Sequence, residues 1–331
     1  MRSGLLAHAK KLPFLGPVFE ERDWLRRQVD AVKPYLAWVP PGHYYSPIPS
    51  LEEIQAAEPR LFGDAPAEIP GIDLRAEDQL RLVSSLARYH ADQPFAAEPS
   101  PPLRYHLRNE WFSYSDGLFL HCLMRHLKPT RIIEIGSGFS SAVMLDTSER
   151  FLDGSVQLTF IEPHPERLYS LLTPHDRARA QIVEKRLQDV DFSIFGELRA
   201  GDIVFVDSSH ITKIDSDVNH IFFQILPALE RDVFIHIHDI FYPFEYPRSW
   251  VLDNGWFWNE AYLARAFLQY NTAFRIELFS SYLERFHRRA LEEHMPLTLE
   301  SPGQSLWLRK LAPPARSTTG ATAQGPVERA D

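Results

Sequence analysis

Seven short runs of β-branched and aromatic residues recur between residues 131 and 310, and segments of helical length separate most of them. Such runs are typical of β-strands, and nearly continuous apolar runs are typical of parallel strands buried on both faces. The pattern therefore predicts seven strands, namely RIIEI (131–135), VQLTFIE (156–162), AQIVEKR (180–186), DIVFVD (202–207), DVFIHIHD (232–239), FRIEL (274–278) and SLWLRK (305–310).

The segments between these runs predict helices, among them Phe119–Leu127, Ser140–Thr147, Asp217–Ala228 and Asn259–Gln269. Strands that alternate with helices favour an α/β fold with helices packed against the sheet. We therefore predict a Rossmann-like, doubly wound, seven-stranded and mostly parallel sheet over residues 105–311, preceded by an N-terminal helical and irregular extension.

Residues 1–104 differ from the rest because proline clusters interrupt them. Proline removes a backbone donor and fixes φ, so these clusters end helices rather than continue them. Two helices are predicted between the clusters, at Glu21–Val32 and Glu77–Tyr89. We predict three parts: a proline-rich cap or arm over 1–104, the α/β domain over 105–311, and a disordered tail over 312–331, which is poor in large apolar side chains.

The composition narrows the classes of function. The chain has 331 residues, 44% of them hydrophobic, which is enough for a sizeable core. Acidic residues outnumber basic ones by 44 to 35, and the formal net charge of −9 argues against a nucleic-acid partner. A single cysteine, Cys122, excludes intrachain disulfides and four-cysteine metal sites. No apolar run suits a signal peptide or a membrane span, so we expect a soluble, cytoplasmic protein.

The stretch RIIEIGSGFSSAVML contains a glycine-rich turn between a strand and a helix. Gly136, Ser137 and Gly138 follow the strand, and Ser140 opens the helix whose N-terminus would face a ligand. Glycines let the backbone approach a ligand closely, and the N–H groups of a helix N-terminus attract polar or anionic groups. The turn is a candidate site for a nucleotide-like ligand; the alternative is a tight turn that binds nothing.

Two acidic residues near this turn sharpen the interpretation. Glu162 ends the next strand, where a carboxylate can accept hydrogen bonds from ribose hydroxyls. The motif reads G-x-G-x-x-S, and its larger third residue crowds the close helix–strand approach of a pyrophosphate site. Glu134, just before the turn, also disfavours a diphosphate and favours a ligand with an ammonium group. S-adenosylmethionine (SAM) has an ammonium group and no phosphate.

With an acidic residue, one spacer and G-x-G after the first strand, the chain resembles the class I SAM-dependent methyltransferases, especially a bacterial small-molecule O-methyltransferase-like group. The resemblance covers residues 105–310. It implies a set of residues that flank the methionine part of SAM: Glu134, Gly136, Ser137 and Gly138. It further implies that Glu162 binds the ribose and that Gln188 and Asp189, after the third strand, lie near the adenine.

Ionisable side chains also occur at the ends of two further strands. The run DIVFVDSSH ends with Asp207 and His210, and DVFIHIHD contains His236, His238 and Asp239. Ligands of open α/β sheets bind outside the carboxyl ends of the strands, so neighbouring fourth and fifth strands would bring these groups together. We predict Asp207, His210, His238 and Asp239 as catalytic residues and interpret His236 as a packed histidine.

This layout resembles the metal-dependent O-methyltransferases related to catechol O-methyltransferase, in which acids at these two strand ends bind Mg²⁺. The resemblance implies Asp207 and Asp239 as metal ligands, and such a cation would stabilise a developing alkoxide. The chain departs from that pattern, because its fifth strand ends in His-Asp instead of an acidic residue followed by Asn. Two mechanisms therefore stay open. A metal ion assists the deprotonation of the hydroxyl, or a histidine acts as the base, for which His210 and His238 are the candidates.

The leading hypothesis is a SAM-dependent methyltransferase that O-methylates a hydroxyl of a small molecule or a saccharide such as a glycan precursor. After the fifth strand, aromatic residues that include Tyr242, Tyr246 and Trp258 either line an acceptor pocket or cover the sheet. Two other hypotheses are kept, an NAD-dependent oxidoreductase and a catalytically inactive binding protein with the same fold. The identity of the acceptor and homo-oligomerisation are left open.

Overall fold

The computed structural model describes residues 16–313 of the chain. Its centre is one sheet of seven strands: β1 (Arg131–Ile135), β2 (Gln157–Ile161), β3 (Gln181–Val183), β4 (Ile203–Val206), β5 (Phe234–Ile237), β6 (Phe274–Phe279) and β7 (Leu306–Lys310). The strand order is β3-β2-β1-β4-β5-β7-β6. Strands β1 to β5 pair in parallel, and β7 is antiparallel to both β5 and β6. The predicted Rossmann-like, mostly parallel fold is confirmed.

All seven predicted strands are present, and the differences lie at their ends. Strand β1 has the predicted bounds, and every residue of β4 is buried, as its unbroken apolar sequence indicates. Strand β3 was predicted over 180–186 but ends at Val183. The residues after it, Glu184 and Lys185, are polar, so they gain nothing from pairing at the edge of the sheet.

The helices predicted from the sequence are present, and a π-helical segment, Ile221–Ile225, divides the helix predicted over Asp217–Ala228. Helix α5 begins five residues before the predicted start at Phe119. Its first turn contains Gly117, where a Cβ atom would lie 2.0 Å from the hydroxyl of Tyr105. This glycine permits close packing inside a helix, whereas in the sequence it suggests a turn. The helices are α1 (Gly16–Val32), α2 (Leu51–Ala56), α3 (Glu58–Leu61), α4 (Ala76–Ala91), α5 (Tyr114–Leu127), α6 (Phe139–Phe151), α7 (Glu166–Leu171), α8 (Pro174–Arg179), α9 (Asp217–His220), α10 (Leu226–Ala228), α11 (Glu260–Leu268), α12 (Ser280–Phe286) and α13 (Arg288–His294).

The described chain divides into two compact units, one of residues 16–63 and 248–257, the other of residues 64–247 and 258–313. The second unit contains the whole sheet and also α4, whose Val83 and Leu86 are fully buried in the same core as α5. The predicted domain boundary after residue 104 stays a prediction. The predicted disordered tail, 312–331, lies outside the described residues from residue 314 onwards. Among residues 16–313, no helix is both long and apolar enough to cross a membrane.

A buried arginine anchors the segment that leads into α5. Arg104 forms ion pairs with Asp146 at 2.7 Å and with Asp176 at 2.5 Å, and both carboxylates are almost inaccessible to solvent. Burial lowers the pKa of Arg104, but the surrounding carboxylates outweigh this effect and raise it. These contacts fix α6 and α8 beside the segment that precedes α5, and α6 begins directly at the glycine turn.

Candidate active site

The glycine turn joins β1 to α6 and brings β1 and β4 close together. Gly136 has a left-handed φ of 81°. A Cβ atom on Gly136 would lie 1.7 Å from the carbonyl oxygen of Asp207, which directly follows β4. Only glycine fits, because both the backbone conformation and this approach exclude a side chain. The turn therefore places the predicted cofactor residues directly beside the predicted reaction residues.

Glu134 lies fully buried beneath the turn. Ser140 Oγ donates a hydrogen bond of 2.6 Å to Glu134 Oε1, and Ser141 Oγ donates one to Oε2. Burial raises the pKa of Glu134 to about 8, although the hydrogen bonds from the serines oppose this shift. Glu134 thus braces β1 against the first turn of α6, and it does not line the cleft beside the turn.

A cleft of about 640 Å³ opens at the carboxyl ends of β1, β2 and β4. The predicted site residues that line it are Gly136, Glu162, Gln188 and Asp207. Glu162 accepts hydrogen bonds from the backbone nitrogens of Ser137 at 3.0 Å and His164 at 2.8 Å. These two donors hold the Glu162 carboxylate at the rim of the cleft, where it can still accept hydrogen bonds from a ligand.

Gln188 and Asp189 are neighbours in sequence but differ in position. Gln188 lines the cleft and donates a hydrogen bond of 2.7 Å from Nε2 to the carbonyl of Asp215. Asp189 forms an ion pair with Arg186 at 2.9 Å and does not line the cleft.

Two serine hydroxyls beside the glycine turn are buried without a partner. Ser137 Oγ and Ser208 Oγ make no hydrogen bond within the described residues. Ser137 lies in the turn, and Ser208 lines the cleft at the end of β4. Buried polar atoms are normally hydrogen-bonded, so the unpartnered hydroxyl of Ser208 in the cleft fits a site that takes a polar ligand.

The four predicted catalytic residues converge at the ends of β4 and β5. His210 Nε2 lies 3.4 Å from Asp207 Oδ1 and 3.3 Å from Asp239 Oδ2. His238 Nε2 lies 3.6 Å from Asp239 Oδ1. The Asp207 side chain is 31% exposed, whereas the Asp239, His210 and His238 side chains are 11% exposed or less. A ligand in the cleft can therefore reach Asp207 first.

A fifth residue, Glu260, belongs to this cluster. It is fully buried at the start of α11, and its Oε2 atom lies 2.9 Å from His210 Nδ1. The ring of Trp258 lies over His210, with centroids 4.5 Å apart. Nothing in the local sequence connects Glu260 with His210, because the contact depends on how α11 packs after the fifth strand.

The pKa values follow from this crowding of carboxylates. Burial lowers the pKa of His210, but Asp207, Glu260 and Asp239 outweigh it and hold that pKa well above its usual value. The pKa of His238 is raised against its burial by Asp239 and Asp207. Burial raises the pKa of Asp239 to about 6. Burial also tends to raise the pKa of Asp207, but His238 and His210 outweigh it and lower that pKa. Both histidines are therefore biased towards the imidazolium form.

His236 points into the core, in agreement with its interpretation as a packed histidine. Its ring stacks on Phe205 at a centroid distance of 3.9 Å and also contacts Trp307. Burial lowers the pKa of His236 well below its usual value, so this ring is neutral.

Three of the clustered residues could hold a cation. One ligand atom each from Asp207, His238 and Asp239 lie within 4.8 Å of one another. Mg²⁺ prefers oxygen ligands, whereas two carboxylates and one imidazole suit Mn²⁺, Fe²⁺ or Zn²⁺ better. His210 Nε2 already lies close to both carboxylates. The donor set thus fits a transition-metal ion better than the Mg²⁺ that the resemblance implies.

Known proteins match parts of this chain. The sequence profile of a family described as a methyltransferase domain matches residues 133–240, from β1 to just beyond β5. An uncharacterised protein of Archaeoglobus fulgidus is 35% identical over 162 residues, which are 48% of this chain and 73% of that protein.

Two solved structures illustrate the structural likeness. The methyltransferase PaMTH1 of Podospora anserina, solved with S-adenosylhomocysteine (SAH), is 16% identical, with a TM-score of 0.39 over 79% of this chain and 96% of that chain. The O-methyltransferase TomG of Streptomyces achromogenes, solved with SAM, is 16% identical, with a TM-score of 0.37 over 70% of this chain and 89% of that chain. At these TM-scores the likeness adds no argument to the fold and geometry described above.

Proposed function

Because this chain belongs to the class I SAM-dependent methyltransferases, we propose that it transfers the methyl group of SAM to a hydroxyl oxygen of a small molecule or a saccharide. The observation that carries the proposal is the cluster of imidazoles and carboxylates at the ends of β4 and β5, beside the glycine-turn cleft. Family membership and the incomplete dinucleotide motif together leave the NAD-dependent alternative unsupported.

The cofactor occupies the cleft in this proposal. Glu162, held by two backbone N–H donors, accepts hydrogen bonds from the ribose hydroxyls, and Gln188 lies towards the adenine. The turn from Gly136 to Gly138 follows the methionine part, where the orphaned hydroxyl of Ser137 can hydrogen-bond to the ligand. Glu134 does not touch the ligand; together with Ser140 it positions the turn.

The acceptor hydroxyl lies between the sulfonium methyl group and Asp207. Its oxygen attacks the methyl carbon in line, the carbon–sulfur bond breaks, SAH leaves, and the hydroxyl proton passes to a carboxylate oxygen of Asp207. The hydroxyl becomes strongly acidic as the new carbon–oxygen bond forms, so a carboxylate of low pKa suffices as the base. Positioning of the two reactants then contributes most of the rate enhancement.

His210 and Glu260 position Asp207 in this mechanism. Glu260 holds His210 through Nδ1, and Nε2 of His210 faces the carboxylates of Asp207 and Asp239. A histidine base would have to be neutral, and the surrounding carboxylates oppose that state for both His210 and His238. We therefore assign proton acceptance to Asp207 and charge compensation to the two imidazoles.

A divalent cation bound by Asp207, His238 and Asp239 would act as a Lewis acid on the acceptor hydroxyl. The proton transfer to Asp207 needs no such ion. Turnover should therefore survive dialysis against EDTA, with metal analysis showing less than one ion per ten chains. Loss of turnover on dialysis and recovery with Mn²⁺ or Mg²⁺ would show that metal-assisted deprotonation operates instead.

Aromatic side chains surround the acceptor end of the site. Trp258 covers His210, and Tyr246 packs edge-on against Trp258 with centroids 6.0 Å apart. Aromatic faces stack on planar rings and on the apolar faces of sugars. Together with the acidic cluster, they favour a neutral phenolic or sugar acceptor over an anionic one.

The first test measures cofactor binding and turnover separately. Calorimetric titration should show micromolar binding of SAM and SAH and none of NAD. A screen of phenolic and sugar acceptors should then detect SAH release by wild-type protein, while Asp207→Asn keeps its SAM affinity and loses at least about 100-fold in kcat. Asp153→Asn, at an exposed acid outside the cleft, is the matched control and should match wild type.

Two outcomes would contradict the proposal. Binding of NAD without binding of SAM would contradict the cofactor. Binding of SAM with no turnover on any acceptor, for wild type as for Asp207→Asn, would favour the inactive binding protein.

A further inference from the structure

The chain from residue 17 to residue 63 has no core of its own. No described residue in this range is buried. Most of the large hydrophobic side chains that are exposed in the described chain also lie here, between residues 18 and 51. Burial of apolar surface offsets the entropy that a segment loses when it becomes ordered, and a helix of 17 residues such as α1 is only marginally stable alone in water. This segment therefore needs an apolar partner surface.

The exposed apolar side chains of α1 lie on one face of the helix. Four of them, separated by seven, four and three residues, are 44% to 58% exposed, namely Val18, Leu25, Val29 and Val32. These spacings are those of positions a and d in a heptad repeat, which form a continuous stripe along a helix. We call these four residues the α1 stripe. The remaining position a is Arg22, whose charge is compensated within the helix by Asp23 at 2.6 Å.

The residues after α1 enlarge this apolar surface. Trp38 and Tyr45 are both exposed, and their rings stack with centroids 5.0 Å apart. Aromatic side chains are enriched at the surfaces where proteins associate, and a specific interface takes about 20–30 residues from each partner. The segment from residue 18 to residue 51 is long enough to supply that number. Its size therefore fits a stable contact with another protein chain.

Two unpaired charges flank the α1 stripe and indicate which chain that is. Glu21 occupies position g on one edge and Arg26 position e on the other; both are exposed, and neither forms an ion pair with another described residue. When two parallel helices pack through positions a and d, position g of one lies beside position e of the partner's next heptad. Glu21 then faces the partner's Arg26, and two-fold symmetry repeats the pair. In charge, α1 is complementary to a second copy of itself.

We propose that two copies of this chain associate through the α1 stripe, with their α1 helices parallel and Glu21 of each copy paired with the partner's Arg26. The proposal is independent of the proposed function, because no residue of the α1 stripe lines the cleft. A lipid surface fits this face less well, since Glu20, Glu21 and Asp23 would repel anionic headgroups.

Sedimentation equilibrium of the full chain measures the association. At micromolar concentration we expect a species with twice the mass of one chain. Val29→Asp would bury two carboxylates between the helices and should raise the dissociation constant of the dimer at least about 100-fold. Because Val29 is 56% exposed in a single chain, this loss cannot come from a disrupted core.

Exchanging the two charges tests the pairing itself. Glu21→Lys and Arg26→Glu each bring like charges together twice per dimer, and each should weaken association about fivefold to thirtyfold at low salt. The double variant with both changes should return to within about threefold of wild type, because the opposite charges face each other again. Arg27→Glu is the matched control: it makes the same change one residue along, on the side of α1 away from the α1 stripe, and should associate like wild type.

Three outcomes would overturn the proposal. Wild type that stays monomeric at every soluble concentration would exclude a dimer. A dimer that Val29→Asp and the charge exchanges leave unchanged would place the interface elsewhere on the chain. A monomer that binds vesicles of phosphatidylcholine and phosphatidylserine, and loses this binding in Val29→Asp, would assign the α1 stripe to a lipid surface instead of a second copy.

Discussion

The two halves of the cleft are built by different means. In the cofactor half, at the ends of β1 and β2, each carboxylate is satisfied by neutral donors: hydroxyls for Glu134 and backbone N–H groups for Glu162. In the reaction half, at the ends of β4 and β5, carboxylates face imidazoles, as with His210 between Asp207 and Asp239. Backbone geometry fixes the first half, and attraction between carboxylates and imidazoles fixes the second.

This difference predicts different responses to substitution. Groups held by neutral donors around a tight turn determine whether the turn forms and whether a ligand fits there. The paired carboxylates and imidazoles determine where protons reside, so changes to them affect turnover more than folding. Changes in the cofactor half should therefore appear in stability and binding, and changes in the reaction half in kcat.

The largest effect is expected at Gly136. An alanine there would force a Cβ atom to within 1.7 Å of the Asp207 carbonyl oxygen, at a left-handed φ of 81°. The strands β1 and β4 must then separate, so we expect Gly136→Ala to lower the free energy of unfolding by at least about 3 kcal/mol. Urea denaturation measures this loss in the free energy of unfolding. Gly196→Ala, where a Cβ atom meets nothing within 4 Å, is the control. Similar stabilities of the two variants would refute the close approach.

The next effect is a pH dependence of stability caused by Glu134. Burial raises the pKa of Glu134 from 4.5 to about 8, so the folded chain holds a proton that the unfolded chain releases. This contribution to stability is present below pH 4.5 and is lost as the pH rises towards 8, by up to about 1.4 kcal/mol per pH unit. Glu134→Gln keeps the shape without the charge and should flatten this slope in thermal unfolding between pH 5 and 8. An unchanged slope would mean that Glu134 is ionised in the fold.

A smaller effect is expected from Glu260, which belongs to the reaction half of the cleft. Glu260→Gln keeps a hydrogen bond to His210 but removes a charge, so the imidazole holds Asp207 and Asp239 less firmly. We expect kcat to fall about 10- to 100-fold while the SAM dissociation constant changes less than twofold. Glu245→Gln, at a carboxylate that pairs with the exposed Tyr262, is the control. A parallel loss of SAM affinity would remove the distinction between the halves.

The same contrast explains what the sequence could and could not predict. The strands and the glycine turn were predictable because neighbours in sequence determine them, as with the unbroken apolar run of β4 and the close pair Gly136 and Gly138. The contact between Glu260 and His210 joins residues 50 positions apart, and its geometry depends on how α11 packs. Likewise, no local pattern shows that Glu134 turns beneath the glycine turn instead of towards the cleft.

The smallest effect separates two neighbouring residues with identical sequence-based predictions. Gln188 lines the cleft, whereas Asp189 does not and pairs with Arg186. If the adenine lies at this end, Gln188→Ala should weaken SAM binding about threefold to tenfold, because one polar contact and some packing are lost. Asp189→Asn should leave the dissociation constant unchanged. The opposite ranking would show that SAM binding depends on the ion pair between Asp189 and Arg186, which itself lines the cleft. The difference between the two halves would then be narrower, because the cofactor half would also depend on a charged pair.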